Sequence, residues 1–288
     1  MVLRIVTDST ADLPTELVDR HRIAVVPLSI LFGDEELKDG VDIRSEDFFK
    51  RLPREPQLPT TSQPSPALFK EAYERLVREG ATEILSVHIS GKLSGTLQSA
   101  RQGADGIEGV RFRHIDSGTV SLALGMAVLA AAAVAERGGS LDEARAAAEG
   151  MLARTRLFFV LDTLEYLRRG GRLSRGSEIL GTFLQVKPIL GIENGELVPL
   201  ARVRTRAKAI EEMLRRVSEC RPIAQVGAMH ATTPEDLKYL LDRLDGIAPD
   251  AKVLSARITP VLGVHSGPGA LGMAVVTKDG ASPASTST

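Results

Sequence analysis

The segment "HISGKLSGTLQSA" at residues 88–100 places small polar side chains around two glycines, directly after an apolar run. Ser94 and Thr96 supply hydroxyl groups, and Gly95 lets a ligand approach the backbone closely. The preceding run predicts a strand and the following residues predict a helix. The turn would therefore lie at a helix N-terminus, where unpaired N–H groups attract anions. This pattern favours a phosphate or carboxylate site, although helix capping by Ser94 explains the same residues.

An enzyme is the alternative use of this turn. Ser94 would be a nucleophile, His265 its base, and Asp8 or Asp116 the group that orients the base, as in a serine-type hydrolase. The order of residues, Gly-x-x-Ser-Gly, differs from the Gly-x-Ser-x-Gly of a nucleophile elbow, and the Gly-Lys-Ser/Thr of a Walker A motif is absent. A module that binds a phosphate ligand through the Ser94–Gly95 turn also stays open.

Three further groups could contribute to an anion site. Thr61 and Ser62 lie in a proline-rich loop at 53–66, which would hold their hydroxyl groups in place at little entropic cost. His265 lies in a glycine-proline loop, from which it could reach a ligand. The simpler interpretations are an ordinary surface loop and a structural histidine.

Arginine is concentrated in two short segments of a chain that is otherwise close to neutral. Its guanidinium group suits carboxylate and phosphate, although a solvated basic face is the usual reason for such clusters. The two groups are Arg168, Arg169, Arg172 and Arg175, and Arg202, Arg204 and Arg206.

The composition excludes several classes of protein. Lys and Arg number 36 against 37 Asp and Glu, only 4% of residues are aromatic, and Trp is absent, which argues against nucleic-acid binding. The single cysteine, Cys220, has no partner for an internal disulfide, and no spacing suggests a metal site. The N-terminus reaches Asp8 before a signal peptide could form, and the longest apolar run is too short to cross a membrane. We expect a cytoplasmic protein.

Strands alternate with helices, which predicts an α/β protein of two domains. Residues 1–154 would form a mostly parallel sheet with helices on both faces, and residues 155–278 a second α+β domain. Within the first domain we expect one buried strand at 23–32 and a turn at 33–40. Asn194-Gly195 predicts a hairpin in the second domain. Residues 279–288 would be a disordered tail.

Taken together, seven segments resemble the DegV family, the fatty-acid-binding proteins of bacterial fatty acid kinase systems. The likeness runs from about residue 3 to 277, with the motifs in the same order. The segments are "TDSTADL" (7–13), "PTTSQPSP" (59–66), "SGKLSGTLQSA" (90–100), "IDS" (115–117), "LEYLRRGGRLS" (164–174), "KPIL" (187–190) and "HSGPGALG" (265–272).

The resemblance implies a DegV-like fold with a long acyl chain, such as palmitate, stearate or oleate, buried between the two domains. It implies a carrier with no catalytic residues, no metal and no cofactor, which presents the carboxylate to a separate ATP-dependent kinase and makes transient contact with a membrane surface. Thr61, Ser94, Gly95 and His265 would contact the carboxylate. Ser62, Arg172 and Arg202 would lie around the head group or face the kinase.

Overall fold

A computed structural model describes residues 1–173 and 186–278 of the chain. Up to residue 154 its helices and strands are, in chain order, β1 (Leu3–Asp8), α1 (Thr15–Arg20), β2 (Ala24–Val26), β3 (Ser29–Phe32), β4 (Glu35–Lys38), α2 (Ser45–Arg51), β5 (Thr60–Ser62), α3 (Pro66–Arg78), β6 (Glu83–His88), α4 (Thr96–Ala104), β7 (Arg111–Asp116), α5 (Leu122–Glu136) and α6 (Leu141–Ala153). Short 3-10 turns follow β1 (Ser9–Ala11) and α2 (Leu52–Arg54).

The remaining described residues add β8 (Thr155–Val160), α7 (Glu165–Arg169), β9 (Lys187–Glu193), β10 (Glu196–Val203), α8 (Arg206–Glu219), β11 (Ile223–His230), α9 (Pro234–Leu244), β12 (Lys252–Arg257), α10 (Pro260–Ser266) and β13 (Leu271–Thr277).

The first sheet is parallel, with the strand order β2-β1-β6-β7. Its buried strands alternate between two faces. Val6 and Ile84 pack with Phe69 of α3 on one face, whereas Leu85 and other residues pack in the core that contains α5 on the other. Helices therefore cover both faces, as the alternation of strands and helices predicts.

Helix α5 is shared by two sheets, which explains why it is apolar on all sides. It contacts β1 of the parallel sheet and also β8, β11 and β13 of a second sheet. Gly227 on β11 permits this close approach, because a side chain there would meet Leu122 of α5.

The second sheet is mixed, with the order β10-β9-β8-β13-β11-β12, in which only the β11–β12 pair is parallel. Helices α8 and α9 pack in the core on one of its faces. The predicted hairpin at Asn194-Gly195 is confirmed: the two residues have φ angles of 51° and 81° and join β9 to β10.

A small third sheet was not predicted. It is antiparallel, with the order β4-β3-β5, and it takes strands from two segments that were predicted to be turn and loop. The predicted strand at 23–32 is also wrong as a single element. Proline at 27 cannot donate to a ladder, so β2 ends at Val26 and the chain passes into the third sheet.

The mixed α/β fold is as predicted. The second sheet begins at Thr155, but the division into domains at 154/155 stays a prediction. Arg175 and the predicted tail at 279–288 lie outside the described residues. No helix in the described ranges is long and apolar enough to cross a membrane.

Candidate functional site

A long apolar cavity runs between the C-terminal edge of the parallel sheet and one face of the mixed sheet. It contains about 830 Å³ of space between atoms, including its open mouth. Its apolar wall is formed by Leu28, Ile89, Leu93, Val120, Leu157, Phe159, Leu167, Leu197, Met229, Ile258, Val261, Leu262 and Ala270, with Gly272. Such a lining suits an apolar ligand with few polar groups.

The polar lining residues are few. They are Thr10, Thr61, Ser94, Ser121, Arg172, His265 and Ser266. Three of them, Thr61, Arg172 and His265, also line a second pocket at the surface, which we call the outer pocket. The place where the two spaces share residues is therefore polar, and we call it the mouth of the cavity.

One hydrogen bond at the mouth joins two residues that are 204 positions apart. Thr61 Oγ1 on β5 lies 2.8 Å from His265 Nε2 on α10. The other ring nitrogen, Nδ1, is buried and has no partner among the described residues. An unpaired N–H costs more than an unpaired acceptor, so we assign the hydrogen to Nε2, which then donates to Thr61. The Thr61 hydroxyl hydrogen is thereby left to donate to a ligand.

His265 is uncharged at neutral pH. Burial, with the positive charge of Arg172 as the smaller cause, lowers its pKa to about 4. The ring packs against Gly170, where any side chain would overlap Nδ1. The prediction that His265 lies in a loop is wrong, because the residue belongs to the last turn of a helix.

Arg172 is the guanidinium group at the mouth. It donates to Leu93 O at 3.2 Å through Nε and to Gly170 O at 2.6 Å through Nη1. These bonds connect the glycine turn after α7 to the β6–α4 turn.

The glycine of the β6–α4 turn was predicted to let a ligand approach the backbone, but the structure places a side chain there. Ser94 lines the cavity, and its Oγ lies 2.8 Å from Thr96 Oγ1. Gly95 is the N-cap of α4, but the space beside its Cα is filled by the side chain of Gln63, which donates to Ser99 Oγ at 2.8 Å. Gly95 thus accommodates a glutamine, and it is not among the residues that line the cavity.

Most of the remaining arginines have other partners. Arg168 and Arg169 pair with Glu165, and Arg206 pairs with Asp236 and Asp162. Arg202 on β10 and Ser62 on β5 are both exposed, and neither is among the residues that line the cavity. Of the predicted site residues, the structure brings Thr61, Ser94, Arg172 and His265 together.

The contacts do not form the chain of groups that a hydrolase needs. His265 Nε2 bonds to Thr61 and not to Ser94. Asp8 lies 2.9 Å from His88 Nδ1, and Asp116 accepts from the backbone N–H groups of Gly91 and Gly118. The described residues also contain no group of three or more metal-binding side chains.

Comparison with known proteins shows which family the chain is similar to. Residues 2–278 match the family described as "Uncharacterised protein, DegV family". A DegV domain-containing protein of Streptomyces coelicolor is 41% identical over 278 residues, which cover 95% of this chain and 98% of the relative. The chain belongs to the DegV family.

Solved DegV structures have the same fold. A DegV family protein from Thermus thermophilus, described by its fatty acid binding, superposes with a TM-score of 0.89 at 34% identity, over 96% of this chain and all of that one. DegV of Bacillus subtilis, described as a fatty acid binding protein, gives 0.88 at 31% identity, with coverages of 96% and 100%. A stearic-acid-binding protein from Eubacterium ventriosum gives 0.86 at 25%, with coverages of 95% and 98%.

Sequence reasoning missed three polar residues of the cavity lining, which are Thr10, Ser121 and Ser266. Thr10 donates to Asp8, and Ser121 donates to Asp12, so both hydroxyl groups are engaged behind the wall. The signal for Thr10 was present in "TDST", where Asp8 was considered as the group that orients the base of a hydrolase. In the structure Asp8 accepts from both the backbone N–H and the hydroxyl group of Thr10.

Proposed function

We propose that this DegV family member binds one long-chain fatty acid in the cavity and presents its carboxylate at the mouth to a separate ATP-dependent fatty acid kinase. The observation that carries the proposal is the distribution of polar groups. Hydroxyl, imidazole and guanidinium groups meet at the mouth, while most of the remaining wall is apolar. The fatty acid binding for which the three structurally similar proteins above are described supports this choice of ligand.

The apolar wall accounts for retention of the chain. Burying about 14 methylene groups of a palmitate-sized tail gains about 11 kcal/mol, at about 0.8 kcal/mol each. Removing the same tail from a membrane costs a similar amount. A carrier must therefore offer a lining about as apolar as lipid, which the leucine, isoleucine, valine and phenylalanine side chains of this cavity provide.

The mouth accounts for binding of the carboxylate. A buried carboxylate needs hydrogen bonds, and bonds to a charged acceptor are about twice as strong as neutral ones. Thr61 has its hydrogen available because His265 donates to its oxygen, and Ser94 adds a second hydroxyl group. Neither Thr61 nor Ser94 clamps both carboxylate oxygens as an arginine fork would. An oxygen thus stays free to attack phosphorus.

The outer pocket gives the kinase a route to that oxygen. Its lining includes the segment from Pro56 to Thr61, the Arg169–Gly170 turn and Tyr166, and it reaches the mouth at Arg172 and His265. Arg172 is placed to offset negative charge on a phosphoryl group during transfer. Arg202 and Ser62, which are exposed, would serve as contacts for the kinase surface.

The ligand is tested by mass spectrometry of the lipid that copurifies with the protein from a bacterial host. We expect about one fatty acid per chain. A protein that carries no lipid and takes up neither labelled oleate nor labelled palmitate would contradict the proposal.

The presentation step is tested with a bacterial fatty acid kinase, labelled ATP and the loaded protein. We expect acyl-phosphate to form, and Arg172→Ala to slow its formation at saturating fatty acid. An unchanged rate for both Arg172→Ala and Arg202→Ala would remove the arginines from the mechanism.

A further inference from the structure

Two buried carboxyl groups lie behind the cavity wall and join three parts of the fold. Asp12 follows the 3-10 turn after β1, and Asp39 follows β4; both are 2% exposed. Asp39 N donates to Leu28 O at 2.9 Å, and Leu28 lines the cavity. Asp12 reaches the start of α10, the helix that carries His265.

Asp12 is well bonded, and Asp39 is not. Asp12 Oδ1 accepts from Thr259 N at 2.8 Å, and Oδ2 accepts from Ser121 Oγ. Neither oxygen of Asp39 has a well-aligned hydrogen bond within the described part of the chain. The Ser9 and Thr259 hydroxyls and the Val261 N–H are its nearest polar groups.

The charged groups nearby do not neutralise Asp39. Burial raises its pKa to about 8, and the charge of Asp12 adds to that effect. Burial also raises the pKa of Asp12 to about 6. Charges on the neighbouring elements have other partners: Lys38 with Glu36, Asp8 with His88, Lys50 with Glu46, and Arg257 with the carbonyl of Ala231.

We propose that Asp39 keeps its proton at neutral pH and that this uncharged carboxyl group positions α10, and through it His265 and Thr61, for ligand binding. The proposal rests on the proposed function for its ligand. Asp39 does not contact the ligand, so it is a positioning residue.

The packing of α10 shows how a local charge would reach the mouth. Thr259 precedes the helix and His265 lies in its last turn, about 9 Å further along the axis. Gly263 between them rests on Phe48 and Phe49, where a side chain would overlap both rings. A second negative charge would repel the carboxylate of Asp12, which accepts from Thr259 N at the start of this short helix. Because the helix is tightly packed, its other end would shift as well.

The sign of the pH dependence follows from these pKa directions. Between pH 4 and pH 8 the folded protein holds a proton on Asp39 that the unfolded chain has lost, so stability falls as the pH rises. Relative to Asp39→Asn, in which the other titrating groups cancel, the unfolding constant of the unmodified protein should rise by up to about tenfold per pH unit in this range and level off above pH 8. Fatty acid affinity, by contrast, should fall only above pH 8, where the folded protein loses the proton.

Three measurements on the full-length protein test the proposal: a ¹³C NMR titration of the aspartate carboxyl groups, urea unfolding from pH 4 to pH 9.5, and the Kd of labelled palmitate from pH 7 to pH 9.5. Each compares the unmodified protein with Asp39→Asn, which keeps the shape without the proton equilibrium. Asp34→Asn, on the exposed turn before β4, is the control for loss of a carboxyl group and for titration of palmitate itself.

We expect one carboxyl signal to titrate near pH 8 and to be missing in Asp39→Asn. The palmitate Kd of the unmodified protein and of Asp34→Asn should rise by up to about tenfold per pH unit above pH 8, while that of Asp39→Asn rises less. If no aspartate titrates above pH 7, or if Asp39→Asn keeps the pH profile of the control, the proposal is overturned. The ¹³C titration of the unmodified protein shows whether an aspartate titrates above pH 7, even if the variant fails to fold.

Failure of the proposed function would look different. If the protein binds no palmitate at any pH, the proposed ligand is wrong, and Asp39 cannot position the helix for that ligand. The carboxyl titration and the unfolding profile would still show whether Asp39 holds its proton.

Discussion

Hydroxyl groups line the cavity in two places, and their hydrogen bonds run in opposite directions. At the wall, Thr10 and Ser121 donate to the buried carboxyl groups of Asp8 and Asp12. At the mouth, in the tautomer that we assign to His265, Thr61 accepts from Nε2 and keeps its own hydrogen. The wall hydroxyls are used up by the fold, whereas the mouth hydroxyl is available to a ligand.

The difference shows that residue type alone does not identify a binding group. Serine and threonine occur at both places, and both places border the same cavity. What distinguishes them is whether the partner takes the hydroxyl hydrogen or supplies one. Substitutions at the wall should therefore change stability more than affinity, and substitutions at the mouth should do the reverse.

The largest expected effect is on the wall side. Asp8→Ala removes a carboxyl group that Thr10, His88 and the Ile89 N–H all contact. Leaving these buried groups unpaired should lower the free energy of unfolding by about 3–5 kcal/mol, measured by urea denaturation. The exposed Asp34→Ala is the control, with a change under about 0.5 kcal/mol. If Asp8→Ala lowered the free energy of unfolding no more than Asp34→Ala does, the hydrogen bonds at the wall would not stabilise the fold.

The next effect is on the mouth side. Thr61→Val with Ser94→Ala removes both hydroxyl donors, and the Kd of labelled palmitate should rise by at least about tenfold, since each bond to a charged group contributes about 1.5–3 kcal/mol. The free energy of unfolding should change by less than about 2 kcal/mol. Thr82→Val with Ser218→Ala, at positions outside the cavity lining, is the matched control. Unchanged affinity in the mouth variant would show that the carboxylate does not bind at Thr61 and Ser94.

A smaller effect concerns pH. Because the pKa of His265 is lowered to about 4, the unfolded chain binds a proton between about pH 6.5 and pH 4 that the folded protein does not. The stability advantage of the unmodified protein over His265→Asn should therefore shrink as the pH falls, by up to about 1.4 kcal/mol per unit. Asp12, Asp39 and His114 titrate in both proteins and cancel in the comparison. A constant difference across this range would mean that His265 titrates normally.

The smallest effect separates two arginines. Arg172→Ala should weaken palmitate binding several-fold, because Arg172 borders the mouth. Arg202→Ala should change it less than twofold, because that side chain is exposed and outside the cavity lining. Equal losses of affinity would place the head group nearer to β10 than we propose.

Much of the local structure could be predicted from the sequence. The capping box of Ser140 and Glu143, the start of α3 at Ser65-Pro66 and the Asn194-Gly195 hairpin all rest on contacts within a few residues. Such contacts are visible in a short window of sequence. Three residues of the cavity lining were also singled out in advance. Ser94 lies in a glycine turn after an apolar run, Thr61 in a proline-rich loop, and His265 beside a glycine-proline segment.

The parts that could not be predicted depend on distant partners. Strand β5 pairs with β3, which lies about 30 residues earlier in the chain, so no short window of sequence shows this pairing. Gly95 appeared to make room for a ligand, but the structure fills that room with Gln63, which no local pattern indicates. Helix α10 was missed because it is short and contains a glycine next to a glycine-proline segment, while its packing on Phe48 and Phe49 stabilises it.

The most direct test of the account is a crystal structure with palmitate bound. We expect the acyl chain to follow the apolar cavity and a carboxylate oxygen to lie within about 3.2 Å of Thr61 Oγ1. A carboxylate found instead beside Thr10 and Ser121, or a chain bound outside the cavity, would contradict the distinction between the mouth and the wall.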